Sequence, residues 1–175
     1  MTEAELKTYV RDIPDFPKPG IVFKDITPLL ADGRALRSVV DAIADRYQGA
    51  VDTVLGIESR GFIIGSAVAY RLGLGFALVR KPGKLPHQTY AASYALEYGT
   101  DTLEIHRDAF GNKSRVLIVD DLLATGGTAA AAIDLVRRLD AEVAACAFII
   151  ELAFLNGRLR LDGADVFSLI RYDGE

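Results

Sequence analysis

Apolar residues recur along this chain in two rhythms that take turns, short unbroken runs and longer stretches spaced three and four apart. That alternation predicts strands and helices in succession. Residues 53–57 (TVLGI) and 116–119 (VLIV) are apolar or nearly so throughout, as expected of strands buried on both faces. Further strands are predicted over 76–80, 102–106, 143–150 and 167–170. Between them, 33–47 puts Leu36, Val39, Val40, Ile43 and Tyr47 on one helical face, 61–72 aligns Ile64, Val68 and Leu72, and 129–139 turns Ile133, Val136 and Leu139 inward. A short helix is predicted over 2–10. The order of elements predicts an α/β fold with a largely parallel sheet.

Two stretches follow neither rhythm. Residues 12–20 (DIPDFPKPG) carry prolines that deny helix and central strand. Residues 81–95 (KPGKLPHQTYAASYA) are basic at the start and predict a long loop, which in a compact domain is usually functional or disordered.

Composition bounds the rest. A length of 175 residues suits one domain, 1–175, and no repeat, low-complexity tract or linker divides it. Half the residues are apolar, and the net charge of −4 argues against a general nucleic-acid binder. Cys146 is the single cysteine, so no internal disulfide forms. It lies in an apolar run and reads as core rather than as a nucleophile. A reducing, cytoplasmic location fits. No run approaches the roughly 18 apolar residues of a membrane span, and the N-terminus lacks a signal-peptide run.

The chemistry concentrates in VLIVDDLLATGGTAAAAIDLVRRL, residues 116–139. An apolar strand is expected to end in paired carboxylates, Asp120 and Asp121. A loop, Ala124-Thr125-Gly126-Gly127-Thr128, then opens a helix. Backbone N–H groups at a helix N-terminus lack partners and bind anions. Glycines let the backbone come close to a phosphate. The acids can accept from sugar hydroxyls or hold a hydrated cation in the crevice where α/β sheets bind ligands. The plainer alternative is an ordinary turn capped by Thr128. Other phosphate loops do not match, since there is no GxxxxGK[ST] and no GxGxxG heading a strand–helix unit.

This order of strand, two acids, TGGT loop and helix resembles the phosphoribosyl pyrophosphate motif of the type I phosphoribosyltransferases. Four further segments narrow the resemblance to the branch that uses adenine: DFPKPGIVFKDITPLL (15–30), GIESRGFIIG (56–65), VRKPGKLP (79–86) and SYALEYGTDTLEIH (93–106). The resemblance implies a Rossmann-like core, a small hood from residues 1–32, a flexible loop and a homodimer. It implies transfer of phosphoribose from phosphoribosyl pyrophosphate to adenine, giving AMP and diphosphate. It further implies Mg²⁺ carried mainly by substrate and water. By the same resemblance the 5′-phosphate sits on 124–128 and the ribose hydroxyls meet Asp120 and Asp121. Ser59, Arg60, Lys81 and Lys84 receive pyrophosphate, Lys84 in its own or the partner's site. Val22, Phe23 and Lys24 hold adenine, read by backbone groups, and Glu97 handles the purine proton, with Tyr94 and Tyr98 closing nearby. A non-prolyl cis peptide is implied at Glu58–Ser59. His87 is expected as an exposed loop residue and His106 as structural.

Three other readings stay open on the residues alone. They are a phosphoribosyltransferase for hypoxanthine, guanine or xanthine, a non-catalytic regulator sensing phosphoribosyl pyrophosphate, and a nucleotide-binding module without turnover.

Overall fold

A computed structural model describes residues 1–95 and 100–174. The apolar runs become β3 (Thr53–Ile57) and β7 (Arg115–Leu123), side by side in a seven-stranded sheet. Around them lie β4 (Gly75–Arg80), β5 (Thr89–Ala95), β6 (Thr100–His106), β8 (Glu142–Leu152) and β9 (Val166–Tyr172), in the order β5-β6-β4-β3-β7-β8-β9. Five strands from β4 to β9 run parallel, and β6 and β5 add an antiparallel edge. Successive side chains on β7 point to opposite faces, so Leu117 and Val119 enter one core while Val116 and Ile118 enter the other. α3 (Gly33–Tyr47) and α4 (Arg60–Leu72) cover the first face, and α5 (Gly127–Arg138) covers the second.

α3 covers the predicted 33–47 and is capped by Asp32, whose carboxylate accepts from Arg34 and Ala35 N–H at 2.9 and 3.0 Å. α4 ends at Gly73, which takes a left-handed conformation (φ 69°). Residues 1–32 lie outside the large sheet. They form α1 (Glu3–Lys7), a two-stranded ribbon of β1 (Arg11–Ile13) and β2 (Phe23–Asp25), and α2 (Thr27–Ala31).

The second half of 81–95 departs from the expected loop. Residues 89–95 are β5, paired along their whole length with β6 from Thr89↔His106 to Ala95↔Thr100. Tyr90, Ala92 and Tyr94 turn toward the core while Ala91 and Ser93 face outward. Alanine on both faces blurs this period of two. β7 also runs four residues past the predicted end at Val119, so Asp120 and Asp121 lie within a strand. Pairing to β8 (Asp120↔Phe148, Leu122↔Ile150) carries the strand past the point where β3 has stopped, which leaves the acids at a crevice. Two short 3-10 helices, Ala153–Leu155 and Gly157–Arg160, follow β8.

Phe76 of β4 wedges between β3 and α4. A Cβ at Gly56 would stand 2.4 Å from its Cζ, and one at Gly65 would stand 2.8 Å from its Cε2. Gly56→Ala is therefore expected to destabilise the fold by about 1–3 kcal/mol through overpacking. Denaturant unfolding checks this, with Phe76→Leu restoring part of the loss.

Candidate active site

The bend between β7 and α5 is shaped by Gly126, which sits at φ 83°, a conformation that side chains other than glycine's rarely adopt. Gly126 is the residue preceding α5, and no side chain caps the helix. The alternative of a turn capped by Thr128 is thus set aside, and the first N–H groups of α5 are left for another acceptor. They open on a hollow of about 210 Å³ lined by Arg60 and by residues 120–129. The bend is held from behind by backbone. A Cβ on Gly126 would lie 2.4 Å from the Gly157 carbonyl oxygen, and one on Gly157 would lie 2.2 Å from that of Ala124. Gly157 has no motif around it and escapes sequence reasoning.

The paired acids differ in environment. Asp121 is buried, and its Oδ2 accepts from Arg60 Nε in a close ion pair. Asp120 Oδ1 accepts the Asp121 backbone N–H at 2.9 Å. Burial, followed by the charge of Asp121, pushes the Asp120 carboxyl well above its ordinary range. α4 reaches this point because Gly61 lacks a side chain. A Cβ there would meet Asp120 Oδ1 at 2.8 Å and the Val119 carbonyl at 2.9 Å.

A second hollow of about 300 Å³ shares Arg60, Asp120, Asp121 and Thr128 with the first and extends to Ser59, Lys81 and Tyr94. The expected cis peptide at Glu58–Ser59 is absent. That bond is trans, and the tight passage from β3 into α4 is absorbed instead at Ser59 (φ 81°, ψ −117°). A non-glycine residue in that region is strained, as backbone at binding sites often is. Glu58, unforeseen, accepts the Lys81 N–H at 2.8 Å and pairs with Arg80 at 3.3 Å. Those contacts hold its carboxyl below the usual range. The Lys81 ammonium rests on Asp101, which also accepts from the Tyr94 hydroxyl at 3.2 Å. Lys84 is exposed on the following turn and does not line this hollow.

The ribbon meets the site through Phe23, whose ring lies 5.4 Å from the Arg60 guanidinium and packs edge-on against Phe16 at 5.2 Å. Val22 precedes it, half-buried. The Lys24 side chain turns away, to Asp12 at 2.8 Å and over the Tyr172 ring at 4.4 Å, so only its backbone is available near Phe23. Glu97 and Tyr98 lie outside the described residues. His87 is exposed on its loop, and its N–H donates to His106 Nε2 at 3.3 Å, in keeping with a structural His106. Cys146 is fully buried, and burial pushes its thiol up to about 12.

The state of Asp120 gives a signed prediction. Its pKa is raised on folding, so ionisation opposes folding. The penalty is absent below about pH 4, the unfolded value, grows as pH rises toward the folded value, and is complete above it. Asp120→Asn keeps the acceptor for Asp121 N–H and removes the penalty. The unliganded variant is expected to melt higher than the native protein at neutral pH, with the gap closing toward pH 4. A lower melting temperature at neutral pH contradicts this.

Comparison with known proteins agrees with this geometry. Residues 26–168 match the phosphoribosyl transferase domain family. The adenine phosphoribosyltransferase of Geotalea uraniireducens is 59% identical over 169 residues, covering 96% of this chain and 99% of its own. The crystal structure of the enzyme of that name from Thermoanaerobacter pseudethanolicus superposes with a TM-score of 0.94 at 52% identity, covering 98% of this chain and 100% of that one. That from Saccharomyces cerevisiae, solved with adenine and an imino-altritol bisphosphate, gives 0.92 at 42% identity, covering 96% and 98%. No helix among the described residues is long and apolar enough to cross a membrane. With its sheet, its paired acids and its uncapped α5 in this arrangement, the chain belongs to the phosphoribosyl transferase family.

Proposed function

We propose that this chain transfers the 5-phosphoribosyl group of phosphoribosyl pyrophosphate to N9 of adenine, releasing AMP and diphosphate. The observation that carries the reading is the continuity of the two hollows. Uncapped helix N–H groups, two carboxylates and two cationic side chains line one path from the 124–128 bend to Lys81. A sugar bearing phosphate at one end and diphosphate at the other matches that order of charge. The names borne by the relatives support adenine as the base.

In this reading the 5′-phosphate accepts from the backbone of 124–128 and from the Thr125 and Thr128 hydroxyls. Asp120 and Asp121 accept from the ribose hydroxyls. Ser59, Arg60 and Lys81 meet the diphosphate, with Arg60 shifting part of its charge from Asp121 as the substrate arrives. Lys84, exposed on its turn, is free to serve a partner's site. The C1–O bond breaks and the C1–N bond forms through a cation-like sugar, so neutralising the leaving group and excluding water matter most. Glu97 takes the proton released as N9 attacks.

Adenine lies against Phe23 under the ribbon. Among the described residues β2 has a partner strand on one side only, which leaves alternate backbone groups of Val22, Phe23 and Lys24 to read the base edge. A carbonyl there accepts from the exocyclic amine of adenine but meets the oxygen of hypoxanthine unpaired.

Mg²⁺ suits this donor set as an ion carried by the substrate. No group of three or more His, Cys, Asp or Glu residues placed to hold a metal occurs among the described residues. Asp121 is already paired to Arg60, so the acids would accept from the ion's waters. When bound, the ion neutralises the diphosphate. We assign the protein to the cytoplasm as a homodimer. Exposed Ile63 and Tyr70, on one face of α4, and Leu78 on the same side of the sheet offer an apolar strip for a second copy.

Initial rates with adenine, hypoxanthine, guanine and xanthine, each with phosphoribosyl pyrophosphate and Mg²⁺, test the reading. AMP formation is expected to exceed the other products by at least about 100-fold. Glu97→Ala is expected to lower kcat by about 10²–10⁴ with KM for phosphoribosyl pyrophosphate little changed. Comparable rates on hypoxanthine, or an unchanged kcat in the variant, refute the corresponding part.

A further inference from the structure

Behind the phosphate bend lies an ionic cluster that the reaction derived above does not use. Glu151 of β8 is only 3% exposed, yet its carboxylate takes three bonds of 2.6 Å each, from Arg158 Nε, from Arg158 Nη2 and from the Ser168 hydroxyl. Arg158 Nη1 also donates to the Val166 carbonyl at 2.9 Å. A bidentate guanidinium on a buried carboxylate fixes position as well as charge, because its fork matches one orientation. The bonds from Arg158 hold the Glu151 carboxyl below its ordinary range.

Arg158 is the residue after Gly157, so its bonds to Glu151 and to the Val166 carbonyl tether that short helix to β8 and β9. Gly157 lies directly on the bend. A Cβ on it would be 2.2 Å from the Ala124 carbonyl oxygen and 3.1 Å from Gly126 N, and the reciprocal Cβ on Gly126 would be 2.4 Å from the Gly157 carbonyl oxygen. The two segments meet backbone to backbone, with no space for a methyl group. Gly157 is not among the residues with positive φ, so proximity rather than conformation is what demands glycine there.

We propose that Gly157, locked by the Glu151–Arg158 pair, is a buttress that holds the 124–128 bend in its phosphate-accepting shape before ligand arrives. These three are positioning residues that touch no reacting atom. A bend already shaped binds without first being ordered, so the buttress acts on phosphate affinity and leaves the chemical step alone. This inference rests on the reading that 124–128 takes the 5′-phosphate.

The test uses the full chain and two probes, ribose 5-phosphate binding by calorimetry and steady-state kinetics with both substrates. Gly157→Ala is expected to weaken ribose 5-phosphate and raise KM for phosphoribosyl pyrophosphate by about ten-fold or more. KM for adenine and kcat at saturation should stay within about two-fold of the native values, since the interactions that act in the transition state are intact. Arg158→Lys keeps the charge and loses the fork. It should show the same split more weakly, and it serves as the test if Gly157→Ala fails to fold. Thr128→Val, in the bend itself, separates the two readings. If it weakens ribose 5-phosphate while the Gly157 and Arg158 variants do not, the buttress is refuted and the phosphate site stands. If none of the three alters ribose 5-phosphate affinity, the phosphate assignment falls and the buttress with it. A proportional loss of kcat and of both substrate affinities, tracking the folded fraction, also overturns the proposal.

Discussion

The backbone N–H groups at the start of α5 are the constraint on which the rest of the structure turns. A helix that begins without a side-chain cap leaves polar groups with no intrahelical partner. Here that open end stands at the carboxyl edge of a buried strand, where the neighbouring β3 has stopped and a crevice forms. Gly126 permits the turn, and Gly157 blocks it from behind. The close approach of the two segments narrows the conformations open to the bend. Under the proposed reading, a helix start left without a side-chain cap trades stability for readiness to take an anion.

The same trade appears in the electrostatics. Two adjacent carboxylates half or fully out of water repel each other, and among the described residues the ion pair that offsets them is that of Arg60 with Asp121. Asp120 keeps a raised pKa. Arg60 in turn touches Phe23 of the ribbon, so one guanidinium links the paired acids to the segment proposed to cover the base. In the reading proposed above, this guanidinium is the group that exchanges partners when substrate enters.

The central elements were legible because packing on both faces of a sheet leaves a strong imprint on a sequence. Residues 53–57 and 33–47 emerge with the boundaries the pattern predicts, and the acids and the glycine-threonine bend fall at one crevice. Other features left no such imprint. β1 and β2 span three residues each, too short for any period to register. β5 hides its alternation behind alanines, and β7 outruns its apolar core because the backbone of residues 120–123 continues the ladder with β8. The conformation at Ser59 replaces an expected cis peptide, which a residue type alone does not reveal. Gly157 matters only for what lies across from it, and proximity between distant segments is invisible in a linear reading. The side chain of Lys24 illustrates the converse, a residue of the segment expected to hold the base whose charge is turned to Asp12 and Tyr172.

A crystal structure of the protein with AMP bound tests the central claim most directly. The phosphate should lie on the backbone N–H groups of 125–128, with the ribose hydroxyls within hydrogen-bonding distance of Asp120 and Asp121 and the purine against Phe23. Density for the nucleotide elsewhere, with the α5 N-terminus bare, would contradict it.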